Sequence, residues 1–170
     1  MMIKIIGAIL VIGGCGSVGA MICGAYRTEE RVLKLLLSAL DYMQCELQYR
    51  LMPLPDLCRR VGAASSGQIK SIFVSLASEL EDQVSPDVER CMDHVLCLRK
   101  DLPKRSRCVL EELGVSMGRF DLDGQIKGLE AARQACRRSL EELTQNKAVM
   151  LRNCQTLALC AGAAIAILFI

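Results

Sequence analysis

Charge is spread along this chain in a way that constrains its architecture before any periodicity is considered. From Ile5 to Ala25 there are 21 residues, IIGAILVIGGCGSVGAMICGA, without an acid or a base. From Thr156 to Ile170 there are 15 more, TLALCAGAAIAILFI. All 19 acids and 20 of the 21 bases lie between Arg27 and Arg152. A helix needs about 20 apolar residues to cross a bilayer core. The first run meets that length, and the second does so at the lower limit when taken from Cys154. The expected organisation is an N-terminal tail over 1–4, a transmembrane helix over 5–25, a helical body over 26–153 and a second transmembrane helix over 154–170.

Two other readings of the first run are weaker. Lys4 before an apolar stretch, with Ile12-Gly13-Gly14-Cys15, resembles a lipoprotein signal. The apolar run continues for ten residues past Cys15, which a lipid anchor would not need. Gly14, Gly16 and Gly19 match G-x-G-x-x-G, but a dinucleotide site needs strands around it, and no later segment reads as a strand. Glycines that let membrane helices approach closely explain the pattern better. Gly16, Ala20 and Gly24 recur every fourth residue, as do Ala158, Gly162 and Ala166. Each set is a small-residue stripe that can pack on the other span, on a sister subunit or on another membrane protein.

Orientation follows from Lys and Arg. Only Lys4 precedes the first span, whereas Arg27, Arg31 and Lys34 follow it. Arg137, Arg138, Lys147 and Arg152 precede the second, and nothing charged follows. The positive-inside tendency then places the body in the cytoplasm and both termini outside. Six cysteines of the body, Cys45, Cys58, Cys91, Cys97, Cys108 and Cys136, have no short paired spacing. In a reducing compartment they remain thiols that pack as small hydrophobes. A net charge of +2 excludes a strongly basic nucleic-acid binder, and the charges alternate without a dominant patch.

The body reads as all-α. Thr28 is placed to cap a helix, with Glu29 and Glu30 in its first turn. Val32, Leu36, Leu40, Met43 and Leu47 then step along one face. Pro53 and Pro55 separate it from a short helix through Leu54, Leu57, Cys58 and Val61, which Gly62 can close. Residues 63–67 read as a loop, with Ser65-Ser66-Gly67-Gln68 as a capping box. The next face is Ile69, Ile72, Phe73, Leu76 and Leu80. Ser85-Pro86-Asp87 opens a helix through Val88, Met92, Val95 and Leu96. Pro103 opens one through Val109, Leu110 and Leu113, with Gly114 near its end, and Asp121 or Asp123 caps the last.

That last helix carries a heptad seam: Leu122, Ile126, Leu129, Cys136, Leu140, Leu143 and Met150, interrupted by Arg133 and Lys147. The spacing continues into the second charge-free run, so one helix is expected to pass from body to membrane. A compact bundle of about six helices suits this seam better than a free coiled coil, because the short helices before it need a surface to pack on.

Chemical motifs are sparse. Cys91, His94 and Cys97 form C-x-x-H-x-x-C, but position 97 lies about two-thirds of a turn from 91 on a helix, and a zinc site needs four ligands. Asp121 and Asp123 hint at a calcium loop that lacks the required glycine and bidentate Glu. No phosphate-binding loop or nucleophile elbow is present. The residues therefore point to a chain without enzymatic activity or cofactor that works by contacts. A membrane-anchored thiol or metal protein is the alternative that ten cysteines keep open.

Tyr26-Arg27 with Glu30-Arg31, then Leu40, Glu46 and Tyr49, then Pro53-Leu54-Pro55-Asp56, and finally Leu113-Gly114, Gly118, Asp121 and Gln125 resemble, in order and spacing, the stage III sporulation protein AB family. The cysteine number and the lack of Trp depart from it. The resemblance implies a body similar to the helical domains of the platform protein in type II secretion and type IV pilus machines. It implies a mother-cell membrane protein in a channel complex between mother cell and forespore, beside other subunits that include a secretion-type ATPase. A general secretion or pilus platform component is the nearest alternative; such platforms repeat the helical domain, which occurs once here. The family supplies no catalytic residue to carry over.

Overall fold

The computed structural model describes the backbone of residues 2–49, 52–82, 87–119 and 123–145, and side chains from Gly24 onward within these segments, Arg119 excepted. Six helices and no strand occur among the described residues. They are α1 Met2–Tyr49, α2 Leu54–Ala64, α3 Gly67–Asp82, α4 Val88–Cys97, α5 Lys104–Arg119 and α6 over 123–145.

The chain divides into two compact units. One is the body, Glu29–Leu140; the other takes residues 2–28 and 141–145 of the described chain. The body's compact part ends at Leu140, whereas the charge pattern carried it to 153. Residues 5–25 fall within α1, and the second expected span, 154–170, lies outside the described residues. Among the described residues no helix is long and apolar enough to cross a membrane.

α1 is a single helix of 48 residues, and Thr28 does not begin it. Its hydroxyl donates to the Gly24 carbonyl at 3.1 Å, one turn back inside the helix. A threonine bonded that way offers nothing to the amides of a new first turn, so the helix passes through it. Beyond it, Val32, Leu36, Leu40, Met43 and Leu47 are all buried, joined by Leu33 and Ala39. This width of stripe lets one helix face several neighbours.

α2 starts where proline chemistry predicts: Pro53 is its N-cap, Pro55 lies in the first turn, and the Leu57 amide donates to the Pro53 carbonyl at 3.1 Å. Gly62 does not close this helix but sits inside it. The turn to α3 instead uses Gly67, whose φ of +61° suits glycine. Gln68 makes no capping box with Ser65; its amide donates across to Asp101 at 2.7 Å, tying the start of α3 to the turn after α4. α3 packs on α2 and α4, and α4 on α5. Ile69, Ile72, Phe73, Leu76 and Leu80 of α3 are buried, as are Val88, Met92, Val95 and Leu96 of α4. Each such side chain removed from water contributes about 1.5–3 kcal/mol before ordering costs. Asp87 is the N-cap of α4 by backbone position, but its carboxylate pairs with Arg90 at 3.3 Å and makes no side-chain capping bond.

Candidate functional site

The described thiols separate into two groups. Cys45, Cys97 and Cys108 are exposed, and Cys58, Cys91 and Cys136 are buried. Burial pushes the Cys58 thiol up to about 12. Cys136 rises to about 11, through burial first and the nearby Asp41 carboxylate second. Cys91 also rises, through burial and then Glu79 and Asp87. These shifts hold the groups as neutral thiols, the opposite of what a nucleophile or metal ligand needs. The C-x-x-H-x-x-C residues part company as the helical angle requires. Cys91 points into the core, Cys97 is exposed, and His94 lies with Nδ1 2.9 Å from Glu79. No cluster of three metal-ligating side chains occurs among the described residues.

The glycines in the second half of the body are structural. Gly114 and Gly118 lie one turn apart on α5, Gly114 inside the helix and Gly118 in its last turn. A Cβ on Gly114 would stand 2.8 Å from Met92 Cβ, and one on Gly118 would stand 3.2 Å from Val88 Cβ. Two residues of α4 one turn apart therefore ride in the notch that these glycines open. On another side of α5 the buried Ser116 meets α6, where a Cβ on Gly128 would lie 2.3 Å from Ser116 Cβ. Gln125 of α6 donates to the Met117 carbonyl at 3.2 Å.

The buried stripe on α6 includes one residue outside the expected seam, Ala132. Leu129, Ala132 and Cys136 are fully buried, and Leu143 is buried further along. Ile126 and Leu140 are half-buried, while Leu122 and Met150 lie outside the described residues. Ala132, not Arg133, occupies the stripe. Arg133 stands beside it, pairs with the Asp41 carboxylate through Nε and donates from Nη1 to Gln44 Oε1 at 2.7 Å. Cys136 Sγ lies 3.4 Å from the Leu33 carbonyl as its donor. Thus α6 docks on α1 through a small buried seam with one arginine clamp at its flank. Lys147 lies outside the described residues, as do residues 158–166 of the second small-residue stripe. Gly16 and Ala20 fall in α1 with no side-chain environment described, and a Cβ on Gly24 would meet nothing within 4 Å.

Charge is less evenly mixed than the chain totals suggest. The α4–α5 turn and the start of α5 carry Arg99, Lys100, Lys104, Arg105 and Arg107 against Asp101 alone. The end of α3 and α4 carry six acids from Glu79 to Asp93 against Arg90. A count over short windows finds both groups; whole-chain alternation hides them.

The family model for stage III sporulation protein AB (spore_III_AB) matches residues 4–170. A solved structure of Stage III sporulation protein AB (SpoIIIAB) shares 21% identity, with a TM-score of 0.61, over 69% of this chain and 94% of that one. That likeness is one of fold. No curated protein matches the chain.

Proposed function

The chain belongs to the stage III sporulation protein AB family, and we propose that it serves there as a non-enzymatic, membrane-anchored platform subunit of a channel complex between mother cell and forespore. Its helical body docks a secretion-type ATPase on the cytoplasmic side, and its two charge-free ends lie in the mother-cell membrane. The observation that carries this reading is the reach of the family match. Residues 4–170 take in both charge-free runs together with the body. The fold supports it as well. One helix, α1, holds the first charge-free run and the buried face from Val32 to Leu47. The upward shifts at Cys58, Cys91 and Cys136 favour the packing role of these thiols over a thiol enzyme.

The test uses the full chain in detergent-solubilised membranes, expressed with the secretion-type ATPase of the same sporulating cell. Retention of the ATPase on the purified chain is the expected result. Topology is read in parallel with a membrane-impermeant maleimide on the exposed Cys97 and Cys108. Labelling only after the cells are permeabilised is expected. Labelling in intact cells would put the body on the other side and end the ATPase reading. Cys58 does not suit this experiment, because it is buried and its thiol is held neutral.

A further inference from the structure

The two charge groups on the body lie towards opposite ends of the α3–α4 hairpin. The Gln68–Asp101 hydrogen bond at 2.7 Å places the start of α3 beside the turn after α4. The end of α3 accordingly lies beside the start of α4. The basic group occupies the first of these ends and the acidic group the second.

Helix electrostatics explains half of this arrangement and opposes the other half. Asp87 and Glu89 at the start of α4, and Arg99 and Lys100 just after it, complement that helix's own dipole. Lys104 and Arg105 open α5, whose first turn contains no acid. Glu81 and Asp82 end α3, whose last turn contains no base. Bases at a helix N-terminus and acids at a C-terminus each weaken the helix that bears them. Local stability therefore does not account for the charges on α3 and α5.

Internal pairing does not use them up. Glu81 pairs with Arg59, Asp87 with Arg90, Glu79 with His94, and the Arg107 guanidinium donates to the Arg99 carbonyl. Lys100, Lys104, Asp82 and Asp93 are exposed and have no side-chain partner among the described residues. Leu98 is 70% exposed immediately before Arg99 and Lys100. An exposed apolar side chain beside unpaired charges suits an interface with an apolar centre and a polar rim.

We propose that the basic α4–α5 turn of one copy of this chain docks on the acidic α3–α4 end of a second copy. The partner is identified by complementarity: the chain carries the counter-surface itself. The contact joins two different surfaces, so it is head-to-tail, and each copy keeps one end of each sign open for the next. Repetition of such a contact gives a ring if the rotation closes and a filament if it does not. This inference does not depend on the ATPase reading, since it concerns copies of this chain alone.

The experiment is zero-length carbodiimide cross-linking of the full chain in detergent, with normal and heavy-isotope chains mixed. Hybrid peptides joining Lys100 or Lys104 of one isotope to Asp82 or Asp93 of the other are expected. Their yield should fall several-fold when salt rises from about 0.1 M to about 1 M, as the screening length shortens from about 10 Å to about 3 Å. Two variants sharpen the test: Lys100→Glu with Lys104→Glu, and Asp82→Lys with Asp93→Lys. Lys104→Glu and Asp82→Lys each agree better with the dipole of their helix, which offsets the loss of Lys100 after α4, so both proteins should melt close to the parent. Each variant alone should lose the salt-sensitive association. Their equimolar mixture should regain it, because a native acidic end then meets a native basic turn. An absence of hybrid peptides overturns the proposal, as does a mixture that fails to regain association. Lysines that are instead shielded by vesicles containing anionic lipid, with no hybrids formed, overturn it in favour of a lipid surface.

Discussion

Two helix junctions in the body solve the same packing problem by different means. Where α5 meets α4 and α6, glycines at 114, 118 and 128 bring backbones close, and Met92, Val88 and Ser116 occupy the space that side chains would have taken. Where α6 meets α1, the seam is built of Leu129, Ala132 and Cys136, and an arginine at its edge reaches Asp41 and Gln44. The first junction is specified by shape: at 114 and 128 even a methyl group forces the neighbouring helix to shift, and at 118 it presses on Val88. The second is specified by apolar burial, with a polar clamp that selects register. A seam of small and medium side chains tolerates sliding by a turn far better than a glycine notch does. The clamp supplies what the apolar residues cannot.

If burial dominates the α1–α6 junction, its largest response comes from the seam and not from the clamp. Leu129→Ala leaves a cavity at a fully buried position and should cost about 2–5 kcal/mol of unfolding free energy. Denaturant unfolding measures it. The glycine junction should respond next. In Gly128→Ala the new Cβ would lie 2.3 Å from Ser116 Cβ and 2.8 Å from Ser116 Oγ. Ser116 cannot swing away, because it is buried and its hydroxyl donates to the Leu113 carbonyl at 2.9 Å. Overpacking costs about 1–3 kcal/mol, and alanine's better helix propensity returns about 1 kcal/mol. Ser116 Cβ cannot rotate out of the way, so the cost falls in the upper half of that range and a net loss of about 1–2 kcal/mol should follow. A neutral result would show that α5 and α6 can separate freely and that shape does not specify this junction.

The clamp should respond less. The Arg133 side chain is 26% exposed and that of Asp41 is 45% exposed, so water and salt screen much of their attraction. Arg133→Ala should cost about 1 kcal/mol. A double-mutant cycle with Asp41→Ala should assign less than that to the pair itself, and the coupling should shrink in high salt. A coupling above about 2 kcal/mol would mean that the clamp, and not the buried seam, holds α6 in place.

How much of this was legible in the sequence depends on the kind of signal. The faces of α1, α3 and α4 follow from helical spacing alone, and Val32, Leu36, Phe73 and Met92 are buried where that spacing puts them. On α6 the spacing leaves out one buried residue at the centre of the stripe. Ala132 carries little hydrophobic signal, and following the four-and-three rhythm strictly leads to Arg133. Gly62 and Gly114 read naturally as helix terminators, since glycine commonly ends helices. Their role inside helices depends on a neighbour from another helix, which no local pattern contains. Thr28 was misread for a related reason: its hydroxyl has two uses, and the helix running through from Gly24 decides between them. The two charged ends vanish in the totals because 21 bases and 19 acids nearly cancel over the whole chain.

The smallest effect provides the sharpest test of the shape argument, because it uses the same substitution as Gly128→Ala with a different neighbour. At Gly62 a new Cβ would lie 2.8 Å from Val74 Cγ2, 3.2 Å from the Val74 amide nitrogen and 3.4 Å from the Lys70 carbonyl oxygen. The closest atom is the tip of a side chain that is 45% exposed, so it can rotate into solvent. The backbone atoms must give by only a few tenths of an ångström. Alanine's helix propensity gain of about 1 kcal/mol should roughly cancel that strain, leaving Gly62→Ala within about 0.5 kcal/mol of the parent. A loss as large as that of Gly128→Ala would mean that the α2–α3 contact is as rigid as the α5–α6 contact. The distinction between a side chain that can move and one that cannot would then fail for this protein. A gain in stability would show that this glycine is not needed for close approach at all.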